Sequence, residues 1–222
     1  DSLTNLNHGT LVGGVTASTN SPFVGGGSAA FDGASGVVSL GTNYNATVRL
    51  APAITLEAWV NPSKTNTTGA YIFNGYVKDI GFLAYGIRLQ SNNVLLVAGR
   101  SKDGDTSRSV SSPSPVAQSQ WTHVAGVLNY SAGTIQAYVN GTLVTNSAAS
   151  WGTTNLNVSS TSLGTAIGAS LKFDGGGALE SYFPGSISDV RIWNVARTTE
   201  EIAANYTNRL TGTEAGLVGY WR

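Results

Sequence analysis

Apolar and polar residues alternate along most of the chain. Within 54–60, Ile54, Leu56, Ala58 and Val60 fall on one side and Thr55, Glu57 and Trp59 on the other. This is the period of a strand with one face packed inward and the other in a different environment. Segments 70–77, 82–90, 94–100, 121–130 and 183–193 follow the same pattern, with turn residues between them. Asn140 and Gly141 separate the run Ile135, Ala137, Val139 from Leu143 and Val144. Asn-Gly supplies the two positive φ angles that a two-residue type I′ hairpin requires.

One stretch carries a helical period. Thr198 stands three residues before Glu201, the spacing of a capping box, and Ile202, Ala203, Tyr206 and Leu210 then recur on one helical face, with Gly212 as a stop. Many strands with one short C-terminal helix predict an all-β chain, a two-sheet antiparallel β-sandwich. The Gly, Ser and Pro clusters at 18–27, 101–115 and 174–177 read as loops between strands, too short for interdomain linkers, so the 222 residues read as a single domain.

Composition narrows the chemistry. Twelve basic residues balance 12 acidic ones, which leaves no field to draw in nucleic acid or anionic lipid. The absence of Cys excludes disulfides, zinc–thiolate sites and cysteine nucleophiles, and two histidines, His8 and His123, cannot build a multi-histidine metal centre. The longest apolar runs, such as 94–98, fall far short of the roughly 20 residues of a membrane helix, so no membrane insertion is predicted. A Lys-poor chain rich in Asn, Thr, Ser and Gly matches secreted or cell-surface proteins in composition.

Hydrolysis of sugars needs two carboxylates facing one cleft, and no strand here carries acids at the spacing that delivers such a pair. Glu200 and Glu201 open the helix, Glu214 lies in a loop, Glu180 is a lone acid near Tyr182, and Glu57 reads as a hydrogen-bonding group on its sheet. No Gly-x-Ser-x-Gly elbow accompanies His123. A non-enzymatic role is therefore expected. Aromatic residues that can stack on the apolar faces of sugar rings are Tyr76, Tyr85, Trp151 and Tyr182, each equally suited to a core position; Asp103 and Asp105 supply polar contacts from a loop. Oxygen donors of the kind calcium takes gather at Asp1, Asn5 and Asn7, at Asp32 and at Asp103 with Asp105, where turn capping is the competing reading.

Several stretches, in order, resemble the laminin G-like jelly-roll domains of the concanavalin A-like lectin and glucanase superfamily, which includes the pentraxins. They are "AAFDGASGVVSL", "ITLEAWVNP", "QWTHVAGVLN", "IQAYVNGTLV" and "FPGSISDVRIWNVARTTEEI", spanning 29–202. The resemblance implies a jelly roll, and a calcium site at Asp1, Asn5 and Asn7 in "DSLTNLNHGTL". "GLVGYWR" at 216–222 resembles a strand with which such domains begin, so it is expected either to fill that slot in its own domain or to belong to a neighbouring repeat. Together these readings point to a non-catalytic module that recognises a glycan or polysaccharide within a larger secreted or surface protein, with calcium ordering its loops and specificity set by loops 101–115 and 170–181. The competing expectations are a structural repeat of an adhesin and a polysaccharide-cleaving enzyme.

Overall fold

The computed structural model describes residues 8–41, 48–77, 82–158, 163–171 and 179–222. They form two antiparallel sheets. The seven-stranded sheet runs, in spatial order, β1 (Thr10–Val12), β4 (Val37–Ser39), β13 (Leu163–Ile167), β6 (Ala70–Val77), β7 (Phe82–Leu89), β8 (Val94–Gly99) and β9 (Arg108–Pro115). The eight-stranded sheet runs β12 (Thr142–Ala148), β11 (Thr134–Val139), β10 (Thr122–Asn129), β5 (Ala53–Pro62), β16 (Pro184–Trp193), β3 (Ser28–Asp32) and β2 (Val15–Ser18), with β17 (Leu217–Trp221) also paired to β16. A small hairpin, β14 (Ser170–Leu171) and β15 (Leu179–Glu180), completes the strands described. The expected sandwich is what the chain forms, and the six long strands read from alternation appear with ends shifted by at most two residues.

Between the sheets lies one apolar core. Ile54, Leu56, Ala58 and Val60 of β5 face Ile72 and Phe73 of β6, Ile87 and Leu89 of β7, and Leu95 and Val97 of β8. Burying each large aliphatic side chain there stabilises the fold by about 1.5–3 kcal/mol. The β11–β12 hairpin turns on Asn140 and Gly141, at φ of 47° and 74°.

Strand β9 corrects the expectation of a loop over 101–115. Its Ser- and Pro-rich sequence lacks clear alternation, yet it closes the sheet as an edge strand, where proline costs no ladder bond. Val110 and Ser112 turn inward, and Ser112 Oγ accepts from the Leu95 amide at 3.1 Å where the ladder slips between Val94 and Leu96.

The helix α1 (Thr199–Asn205) begins with both halves of the capping box formed by Thr198 and Glu201. It is shorter than its period suggested. Ala203 is exposed, Tyr206 caps the C-terminus, and Leu210 reaches a buried position beyond the helix, beside Trp193 and Tyr220. One edge of β16 serves two partners in succession. Residues 184–187 pair with β3 and residues 190–193 with β17, and between them Asp189 sits at φ +53°.

Candidate functional site

The two outer faces of the sandwich differ. On the eight-stranded sheet, Thr55, Glu57 and Trp59 point away from the core; Thr55 bonds to Val195 and Arg197 just before α1, and Trp59 donates to the Tyr206 carbonyl at its end. Glu57 is 1% exposed: its Oε1 accepts from Trp193 Nε1 at 2.7 Å, and its Oε2 lies 3.2 Å from His123 Nε2 and 3.6 Å from Arg191 Nη1. Arg191 donates through Nε to Asp189, and through Nη1 and Nη2 to the carbonyls of Asn205 (3.1 Å) and Asn208 (2.6 Å). Tyr220 of β17 donates to Asp189 Oδ2 at 2.8 Å and accepts from the Leu210 amide at 3.1 Å. Arg197 lies over the Trp193 ring, 4.0 Å from its centroid.

Burial pushes the Glu57 carboxyl up, but the hydrogen bond from His123 and the charges of His123, Arg191 and Arg197 outweigh it and hold the group below its ordinary value. Asp189 is raised by burial despite Arg191, and the Tyr220 phenol is pushed up to about 12 by burial and by Asp189. Both acids are sealed and bonded, so this cluster ties the helix and β17 to the sheet and offers no proton to a substrate.

The candidates read from the sequence separate into two places. Tyr76, Asp103, Asp105 and Trp151 gather where β6 and β8 end. Arg100 straps that end, donating through Nε to the Leu83 carbonyl (2.8 Å) and through Nη1 to the Asp105 carbonyl (3.1 Å), close to the carboxylates of Asp105 and Asp103 and the phenol of Tyr76. Asp105 Oδ2 accepts from Ser101 Oγ (2.9 Å) and the Gly152 amide (3.2 Å), which makes it a clasp between two loops. Trp151 donates its indole N–H to the Asn129 carbonyl at 3.0 Å and packs edge-on against Tyr130. Tyr85 lies in the core, fully buried and stacked on Phe73, so it presents no ring face to a ligand. Tyr182 lies towards the other end of the strands, against Val37, Ala166 and Ala169.

Asp1, Asn5 and Asn7 fall outside the described residues. Asp32 is committed to its own turn: its carboxylate accepts from the amides of Ala34, Ser35 and Gly36 and from Ser35 Oγ, and the backbone bond from Ser35 leads in holding it far below the usual carboxylate range. Among the described residues no cluster of three or more acid or histidine side chains is placed to hold a metal.

The outer face of the seven-stranded sheet carries residues that alternation alone did not single out. Tyr71 pairs with Arg88 across β6 and β7, with the guanidinium carbon 5.4 Å from the ring centroid. Asn74 pairs with Gly86, two residues from Arg88 on the same face, and gives its Nδ2 to Ser170 Oγ at 3.3 Å. Asn74 Oδ1 and Arg88 Nε are both buried with no hydrogen-bond partner among the described residues. Burial raises the Tyr71 phenol, Arg88 opposes that rise and Glu180 adds to it, which places a carboxylate near this group. Gly86, Ala98 and Ala166 share one row of pairing with Asn74, so small residues floor the face beside it. The sequence signal was an Asn and an Arg inside otherwise apolar strands.

A laminin G-type family model, described as concanavalin A-like lectin/glucanases superfamily, matches residues 32–203. The chain belongs to that superfamily. No curated protein matches it in sequence. Among solved structures, it is similar to domain 4 of an extracellular arabinanase of Geobacillus stearothermophilus, solved with arabinotriose, at 18% identity and TM-score 0.60 over 90% of both chains. It is also similar to the carbohydrate-binding module of a Ruminococcus gnavus sialidase bound to α2,3-sialyllactose, at 14% identity and TM-score 0.60, covering 74% of this chain and 86% of that one. A provisionally assigned carbohydrate-binding protein of Bacteroides ovatus matches at 20% identity and TM-score 0.61 over 97% of this chain, which spans only 50% of that protein's length. The lectin-like jelly roll is thus shared with carbohydrate-binding modules.

Proposed function

We propose that this superfamily member is a non-catalytic carbohydrate-binding module of a larger secreted or surface protein, which takes its glycan on the outer face of the seven-stranded sheet. The observation that carries the reading is the pair of buried atoms, Asn74 Oδ1 and Arg88 Nε, on one face of adjacent strands, with no hydrogen-bond partner among the described residues. An unpaired buried acceptor or donor costs about 1–3 kcal/mol. A ligand that offers both a donor and an acceptor removes that cost, and neighbouring sugar hydroxyls do so together. Tyr71 adds an aromatic face suited to the CH side of a sugar ring. The loop that carries Asp103 and Asp105, with Tyr76 and Trp151 behind it, bounds the face at one end, and Tyr182 stands towards the other.

Calorimetric titration over a broad panel of soluble polysaccharides tests this reading. Binding to at least one of them, weakened at least tenfold in Arg88→Ala, is expected; a silent panel sinks it. We propose in addition that calcium orders the turn that bears Asp1, Asn5 and Asn7. A rise in melting temperature on adding calcium, reversed by a chelator, is the expected result, and an unchanged melt removes calcium while leaving the sugar reading untouched.

A further inference from the structure

Two polar hollows lie side by side at the end of the sandwich where β5 and β3 end and β16 begins. The first, of about 330 Å³, is lined by Asn20, Asn61, Ser63, Ser119, Gly185 and Ser186. The second, of about 320 Å³, is lined among others by Lys64, Thr65, Thr67, Thr68 and Tyr182. The chain crosses from one to the other at Ser63–Lys64 and Pro184–Gly185, and the Ser63 amide donates to the Pro184 carbonyl at 2.9 Å, forming the ridge between them. Each hollow has the size at which small-ligand pockets begin, roughly 300 Å³.

The chemistry of the first hollow is uniform, since its lining contains amides, hydroxyls and glycine and no charged group. Asn61, Ser63, Ser119 and Ser186 make no side-chain hydrogen bond among the described residues. Asn20 is fixed by Trp121, whose indole N–H donates to its Oδ1 at 3.1 Å, which leaves the Asn20 NH₂ aimed elsewhere. Ser119 is held at φ +57°, where glycine is cheaper, by its amide bond to the Pro62 carbonyl at 2.8 Å, and yet the position carries a hydroxyl. Gly185, at φ +133°, lets β16 pack against β5 at this point, since a Cβ there would lie 2.2 Å from the Asn61 carbonyl. Uncharged groups that both give and accept hydrogen bonds match a ligand that is itself neutral and rich in hydroxyls.

We infer that this end of the sandwich is a second saccharide site, which adjoins the sheet face at Tyr182 but does not use Arg88, and which seats a neutral sugar unit in the Asn61 hollow and the adjoining unit in the hollow of Lys64 and Tyr182. The test is a ¹⁵N amide titration of the whole chain with the neutral trisaccharides arabinotriose, xylotriose, cellotriose and mannotriose, in the native protein and in Asn61→Ala and Arg88→Ala. The expected result is a saturable shift of the Asn61, Ser63, Ser119 and Ser186 amides with at least one sugar. Arg88→Ala keeps it, and Asn61→Ala weakens it at least tenfold while the rest of the spectrum stays native. Shifts confined to the Tyr71 and Arg88 region support the sheet-face site and overturn this one. Shifts at both places that vanish together in Arg88→Ala also overturn it, because they describe one continuous site. No shift at Asn61 with any of the four sugars overturns it outright.

Discussion

The two outer faces of this sandwich bury polar side chains to opposite ends. On the eight-stranded sheet Glu57, Asp189 and Arg191 are sealed under α1 and β17, and their charged groups find partners within the fold. On the seven-stranded sheet Asn74 Oδ1 and Arg88 Nε are buried with no hydrogen-bond partner among the described residues. Buried atoms with no hydrogen-bond partner among the described residues occur on the covered face too, at His123 Nδ1 and Arg197 Nε, but the charges of Glu57, Asp189 and Arg191 are spent there on holding structure, while Asn74 and Arg88 are the pair to which the sugar reading assigns a ligand. Glu57, the acid that its strand already marked as a hydrogen-bonding group of the sheet, is thereby spent on architecture.

The sharpest way to break this comparison is Arg191→Met. It strands Glu57 and Asp189 in the interior and removes the bonds to Asn205 and Asn208, so denaturant unfolding is expected to show a loss of about 3–5 kcal/mol. A loss below about 1 kcal/mol would mean that the network is not what holds α1. Arg88→Ala, on the other face, is expected to lower glycan affinity at least tenfold, or about 1.4 kcal/mol, with little change in unfolding midpoint; a large destabilisation with unchanged affinity would reverse the assignment of the two faces. Thr198→Ala should cost about 1 kcal/mol through loss of the capping box, again by denaturant unfolding, without touching sugar binding.

Acid sharpens the contrast further. Glu57, held down chiefly by His123 against its burial, Asp32, held down by the Ser35 amide, and Asp105, held down by Ser101 against its burial, all have depressed folded-state values. Their contribution is complete above the unfolded values of 4.5 for Glu and 3.8 for Asp, and is lost as pH falls through the lower folded values. Asp189 acts in the other sense: raised by burial, it stabilises below 3.8 and loses that contribution as pH climbs through its folded value. Melting temperature is expected to fall between about pH 5 and pH 3, and Asp189→Asn should leave that fall in place. A flat profile would show that the depressed carboxyls are not coupled to folding.

Alternation revealed the long strands because each has one face in the common core, and the Asn140–Gly141 turn and Thr198 cap were legible because each rests on local backbone chemistry. Strand β9 was not legible, since its pairing is supplied by β8 and a single inward hydroxyl, Ser112. The helix was read as too long because Leu210 keeps the period but answers to Trp193 and Tyr220. Tyr85 keeps the phase of Ile87 and Leu89 along β7 and lines the core with them, so the alternation of its own strand already favoured the core over the binding reading. Tyr71, Asn74 and Arg88 become visible as a group only when β6 and β7 are laid in register.

The divided edge of β16 also governs how the molecule comes into being. Ribosomes deliver β3, β5 and β10 long before residues 217–221, yet Asp189 and Trp193 obtain their final cover only when Tyr220 arrives. A nascent chain must therefore wait, its longest seam half zipped, until almost the last of these residues has left the exit tunnel.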